Sequence, residues 1–113
     1  MHRVLVVEDE PLIRLTVIDA LKEAGFYVVE ASSADEAVRI VDGQDIHFLF
    51  TDIQMPGRLS GVDLAHAVAE RFPNAGIFVA SGRIRPEDID LPSGSQFFSK
   101  PYSFANVIIR LKA

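Results

Sequence analysis

Five side chains in this sequence are of types that together could handle a phosphoryl group: Glu8, Asp9, Asp52, Ser81 and Lys100. Three carboxylates brought within a few ångströms of one another repel and raise one another's pKa. A hard divalent cation relieves that repulsion. Magnesium suits such a set, because it takes oxygen ligands, keeps several waters and shares its shell with phosphate oxygens. An ammonium supplies a point charge for a phosphoryl oxygen, and a hydroxyl supplies a hydrogen bond to the same group. A carboxylate can itself be the nucleophile that takes the phosphoryl group, and the transfer then needs mainly positioning and charge neutralisation. Each residue taken alone has a plainer explanation. Acids favour helix N-termini, a serine caps a turn, and a lysine before a proline is usually solvated. Joint placement decides between the two readings.

The elements supply that placement. Arg3 to Val7 is an apolar, β-branched run without polar alternation, as in a strand covered on both faces. Pro11 suits a first helical turn. Leu12, Leu15, Ile18 and Leu21 follow at helical spacing up to Gly25. Tyr27 to Ala31 reads as a second strand. Ser33 and Glu36 form a capping-box pattern for a helix through Val41. Phe48 to Thr51 is a third strand, leading into Asp52. Ser60 caps a helix carrying Leu64, Val68 and Phe72. Ile77 to Ala80 and Gln96 to Phe98 are strands four and five, and Ser103 to Leu111 is a last helix. Between strands four and five, Pro86 and Pro92 leave room for about one helical turn, so the helix expected there is short or vestigial.

Strands alternating with helices predict an α/β domain over residues 1–113. Its expected core is a doubly wound, five-stranded parallel sheet, flavodoxin-like, in the order 2-1-3-4-5, with its site at the carboxyl ends of the strands. Glu8 and Asp9 follow strand one, Asp52 ends strand three, Ser81 ends strand four and Lys100 follows strand five. In a parallel sheet these ends point one way and gather the set over one edge. His2, His47 and His66 are scattered and read as incidental.

Composition narrows the classes. The chain has no Cys, which removes disulfides, thiolate catalysis and Cys-ligated metals. A net charge of -5 disfavours direct nucleic-acid binding. No apolar run is long enough for membrane insertion, and MHRVLVVEDE lacks a secretion-signal pattern, so a cytoplasmic setting is expected.

The pair Glu8-Asp9, the segment DIQMPG with Gly61 beyond it, the Ser81 strand end and Lys100-Pro101 together resemble the receiver domain of bacterial two-component response regulators. The resemblance covers essentially the whole chain. It implies Asp52 as phosphoacceptor and Glu8, Asp9, Asp52 and the main-chain carbonyl of Gln54 as Mg2+ ligands. Ser81 corresponds to the switch hydroxyl and Lys100 to the phosphate-contacting lysine. The implied donor is a phosphohistidine on a histidine kinase or histidine phosphotransfer protein, and the implied output is a changed contact with a downstream target protein. Such a protein phosphorylates and dephosphorylates itself with magnesium and is not a turnover enzyme in the ordinary sense. Gln54 and Arg83 stand where the family flanks the hydrolytic water. Phe97 stands at the switch aromatic. It can change rotamer behind Ser81 but has no hydroxyl to donate. In the segment after Asp52, Pro56 favours extended backbone at Met55, and Gly57 opens dihedrals closed to other residues. That geometry can turn a carbonyl towards a metal. Two other readings share these residues: a relay receiver belonging to a hybrid histidine kinase, and an interaction module that is never phosphorylated.

Overall fold

The computed structural model describes residues 2–113. The order of elements is β1 (Arg3–Val7), α1 (Pro11–Glu23), β2 (Tyr27–Ala31), α2 (Ala34–Val41), β3 (Phe48–Asp52), α3 (Gly61–Arg71) and β4 (Gly76–Ser81). A 3-10 turn (Pro86–Asp88), β5 (Gln96–Ser99) and α4 (Phe104–Lys112) follow. All five strands are parallel, in the order β2-β1-β3-β4-β5.

Alternate residues of each strand serve opposite faces. Val4 and Val6 of β1, Phe50 of β3 and Phe78 of β4 pack with Val17, Ile18 and Leu21 of α1 and Val107 and Leu111 of α4. Leu5, Val7, Leu49, Ile77 and Val79 point the other way, onto Ala34, Ala37 and Val41 of α2 and Leu64, Ala65 and Val68 of α3. Both faces are therefore apolar, which is why the strands lack polar alternation.

Helix ends follow local chemistry. Pro11 opens α1. Ser60 and Asp63 form a full capping box at α3: the Asp63 N–H donates to Ser60 Oγ at 3.2 Å and the Ser60 N–H donates to the Asp63 carboxylate at 2.9 Å. At α2 the reciprocal bond slips by one residue. Ser33 Oγ accepts from Glu36 N, but the Glu36 carboxylate accepts from the N–H of Ser32.

Two expectations need correcting. The apolar stripe of α1 does not include Leu12 and Leu15, which are 79% and 55% exposed. Leu12 lies about two and a half turns from Leu21, so the two face opposite ways, and β1 and β2 select the face bearing Val17, Ile18 and Leu21. The histidines are also not all incidental. His47 Nδ1 accepts from the N–H of Arg3 at 2.9 Å, tying β3 to β1, and His66 Nε2 lies 2.7 Å from the carbonyl oxygen of Asp90. The vestigial helix is the three-residue 3-10 turn, which buries no residue. No helix among the described residues is long and apolar enough to cross a membrane.

Candidate functional site

Strand register aligns the site. Val7 pairs with Thr51, so Glu8 and Asp52 leave the sheet at the same level. Asp52 pairs with Ala80 and Ser81 with Ser99, which sets Ser81 and Lys100 one step further along.

The acidic turn after β1 is held from several sides. The Glu8 N–H donates to Ala31 O at 3.2 Å, and the Glu8 carbonyl accepts from Arg14 Nη1 at 2.8 Å. Arg14 is itself paired with Glu30 at 3.2 Å. The Glu10 N–H donates to the Glu8 carboxylate at 3.2 Å. Glu8 is only 6% exposed.

Glu8, Asp9 and Asp52 each offer one carboxylate oxygen, and these atoms lie within 4.8 Å of one another. Lys100 Nζ sits 2.9 Å from Asp52 Oδ2 and 3.8 Å from Glu8 Oε1. One ammonium thus faces three carboxyl groups. The imbalance shows in the protonation of Glu8, which is pushed up to about 7. Burial is the main cause, followed by its hydrogen bond with the Asp9 carboxyl and repulsion from Asp52, while the Glu10 N–H and Lys100 pull the other way. Burial pushes Lys100 down, but its hydrogen bond to Asp52 and the surrounding negative charge outweigh this, and the net direction is upward. The Tyr102 phenol is pushed up to about 12, first by burial and then by the charges of Glu8 and Asp52.

An under-neutralised cluster of hard oxygen donors is what a magnesium ion fits. The cluster opens into a cavity of about 330 Å³ whose rim includes Gln54, Gly82 and Arg83. Gln54 and Arg83, the two residues expected to flank the hydrolytic water, therefore both line the cavity, and both are exposed.

Ser81 and Phe97 are placed differently. Ser81 is 2% exposed, and its Oγ accepts from the N–H groups of Arg83 at 3.2 Å and Ile84 at 3.0 Å. It closes its own turn and makes no bond to the acidic cluster. Phe97 pairs with Val79 across β4 and β5 and is half-buried against the α2–α3 face. Its neighbour Phe98 lies on the opposite face, stacked on Phe78 at 6.0 Å.

Two contributors, Arg14 and Tyr102, have no sequence signal of their own. Arg14 reaches Glu8 through a backbone carbonyl. Tyr102 enters the electrostatics of the site from an aromatic group with Phe50, Phe98 and Phe104. Gly61, noted above as part of a motif, lies so close to β3 that a Cβ there would sit 2.8 Å from Ile53 Cα and collide with the Asp52 carbonyl.

Residues 4–112 match the family model of the response regulator receiver domain. The chain belongs to that family. Among curated relatives, the receiver is 29% identical over 112 residues to the response regulator receiver protein CpdR of Brucella abortus, covering 96% of this chain and 92% of CpdR. It is 31% identical over 110 residues to the transcriptional regulatory protein PdtaR of Mycobacterium tuberculosis, covering 95% of this chain but 53% of PdtaR. Among solved structures it superposes on TrrA of Thermotoga maritima in complex with Mg2+–BeF. That match has a TM-score of 0.88 and 26% identity, and covers 99% of this chain and 97% of the other. TrrA is also solved in complex with the histidine kinase ThkA. The receiver is thus a domain of two-component, phosphorylation-mediated signalling, with an acidic cluster suited to a divalent metal.

Proposed function

We propose that Asp52 accepts a phosphoryl group from a phosphohistidine of a cytoplasmic histidine kinase or histidine phosphotransfer protein, and that the phosphorylated receiver changes its contacts with a downstream target protein. The observation that carries this reading is the 2.9 Å contact of Lys100 with Asp52 inside a cluster of three convergent carboxylates. A charge-paired aspartate on an open cavity is a nucleophile with its counter-charges already in position.

In the transfer, an Asp52 carboxylate oxygen attacks phosphorus and the bond from phosphorus to the imidazole nitrogen breaks. The electron pair stays on that nitrogen, which takes a proton from solvent. Glu8, Asp9, Asp52 and the Gln54 carbonyl would hold Mg2+, which supplies neutralising charge at the phosphoryl oxygens. Lys100 exchanges part of its contact with Asp52 for an incoming phosphoryl oxygen. Ser81 Oγ accepts two bonds from its own turn, and its O–H remains to donate. Hydrolysis unloads the site: water attacks phosphorus, the bond to the Asp52 oxygen breaks with its electron pair left on the carboxylate, a proton passes from the water to solvent and inorganic phosphate leaves. Gln54 can orient that water. Arg83 can pair with the phosphoryl group and cover it.

The test is intact mass after incubation with a small phosphodonor and magnesium. Wild type is expected to gain one base-labile phosphoryl group, and Asp52→Asn none. An equal gain in Asp52→Asn would move the acceptor elsewhere.

A further inference from the structure

Residues 54–59, between Asp52 and α3, cross the rim of the acidic cavity, with the half-buried Met55 and Leu59 packed against the core. Gln54 lines the cavity. At one end Ile53 is fixed to the sheet by its N–H bond to Ala80 O at 3.0 Å, and at the other Ser60 is fixed by its capping box. Among the described residues, the backbone between these points donates two hydrogen bonds, and both end on one side chain. Asp35 Oδ2 accepts from the N–H of Arg58 at 3.2 Å, and Asp35 Oδ1 accepts from the N–H of Leu59 at 3.1 Å. Asp35 stands in the first turn of α2, where the helix dipole favours a carboxylate. The loop is shaped to meet it. Gly57 has φ +124, and a Cβ there would lie 3.0 Å from Asp35 Oδ2. The positive φ favours glycine there, and an added Cβ would crowd the Asp35 carboxylate.

We infer that Asp35 is a positioning residue for the phosphoacceptor site, fixing the place of Gln54 by holding the N–H groups of Arg58 and Leu59. The inference rests on the reading of the acidic cluster given above. Asp35 touches neither the cluster nor its cavity. It acts through the loop: two charge-assisted bonds replace the entropy of a wandering segment with one conformation, so that a carbonyl needed at the cavity is already in place when a metal arrives. Outer groups that orient ligands in this way typically matter by about tenfold or more in metal affinity.

The experiment uses the whole chain and magnesium as the probe. Magnesium affinity is read from amide shifts, loop mobility from exchange of the Arg58 and Leu59 amides in metal-free protein, and phosphorylation rate across a magnesium series. In Asp35→Ala the two amides are expected to exchange faster and the magnesium half-saturation to rise about tenfold, with the rate at saturating magnesium held within about twofold. Asp35→Asn is expected to fall between, because its amide keeps one acceptor and turns a donor towards the other N–H. It also decides the matter should Asp35→Ala not fold. Wild-type magnesium affinity in the folded variants overturns the inference and leaves the acidic site intact. A uniform fall in rate at unchanged half-saturation also overturns it, as the mark of a general structural defect. Wild-type protein that neither binds magnesium nor accepts a phosphoryl group overturns the reading of the site itself.

Discussion

The segments that leave β3 and β4 both line the acidic cavity, and they are secured in opposite ways. The first is bound to the sheet through Ile53, to α2 through Asp35 and to α3 through the Ser60–Asp63 box, and its helix buries Leu64, Ala65 and Val68. The second, residues 82–95, has a 3-10 turn with no buried residue and rests on the core through the half-buried Ile84, Ile89 and Leu91. Its polar ties are short-range, except for His66 to the Asp90 carbonyl. A segment proposed to carry a metal ligand has to keep its shape, and this one has bonds at both ends and in the middle. A segment that begins at the proposed switch hydroxyl, Ser81, and ends beside Phe97 gains from being able to rearrange, and this one is expected to open more readily because it buries less. We propose that phosphorylation draws Ser81 inward, lets Phe97 move and alters the order of residues 82–98.

Glycine substitutions divide the two segments most sharply. Gly61→Ala places a methyl group against the Asp52 carbonyl and Ile53 Cα, where backbone has to move. It is expected to cost about 3 kcal/mol or more and to abolish phosphorylation, read by urea denaturation and intact mass. Gly94 also has a positive φ, of +84, but nothing lies within 4 Å of its Cβ position. Gly94→Ala is expected to cost about 1–2 kcal/mol and to spare phosphorylation. Equal losses would show that the second segment is held as tightly as the first.

The next effect is electrostatic and belongs to the acidic side. Folding raises Glu8 from 4.5 to about 7. Between those values the folded protein keeps a proton that the unfolded chain has lost, so stability falls as pH rises from about 4.5 to about 7 and then levels off. The expected drop in metal-free protein is on the order of 1–3 kcal/mol. Millimolar magnesium at pH 8 is expected to restore it by binding the folded state, and Glu8→Gln to flatten the slope. A flat profile in metal-free wild type would mean that Glu8 is solvated and ionised throughout.

The smallest effect tests the loose side. His66→Ala removes one exposed tie and is expected to cost about 0.5–1 kcal/mol. It should speed hydrogen exchange in residues 82–95 while leaving Arg58 and Leu59 unchanged. Phosphorylation of wild type should alter exchange in residues 82–98. Changes confined to Glu8, Asp9 and Asp52 would send the signal out by another surface.

Strands β1, β3 and β4 were legible because both their faces are buried, leaving largely apolar runs with a carboxylate or hydroxyl where each one ends. The weak crossover was legible because Pro86 and Pro92 exclude a longer helix between them. The face of α1 was not legible. Leu12, Leu15, Ile18 and Leu21 satisfy helical spacing, yet only packing against β1 and β2 settles which apolar residues turn inward. The clamps were hidden for a different reason. Arg14 to the Glu8 carbonyl and Asp35 to the Arg58 and Leu59 N–H groups join side chains to backbone, and every residue offers the same backbone groups. Spacing in the sequence therefore carries no mark of them.

The all-parallel sheet also governs how the chain reaches this state. No two neighbouring strands can close as a hairpin, since parallel partners need a crossover between them. During synthesis β1 can first pair with β2 across α1, while its other edge stays bare until Phe48 arrives to meet Val4. Through that interval the strand offers unpaired N–H and C=O groups and an apolar face to any passing chain. Long-range pairing of this kind is intrinsically slow and exposed to aggregation. The strand that leads into the acidic pair is therefore the one most exposed while the chain is incomplete, and expression at low temperature or with chaperones is expected to raise the soluble yield.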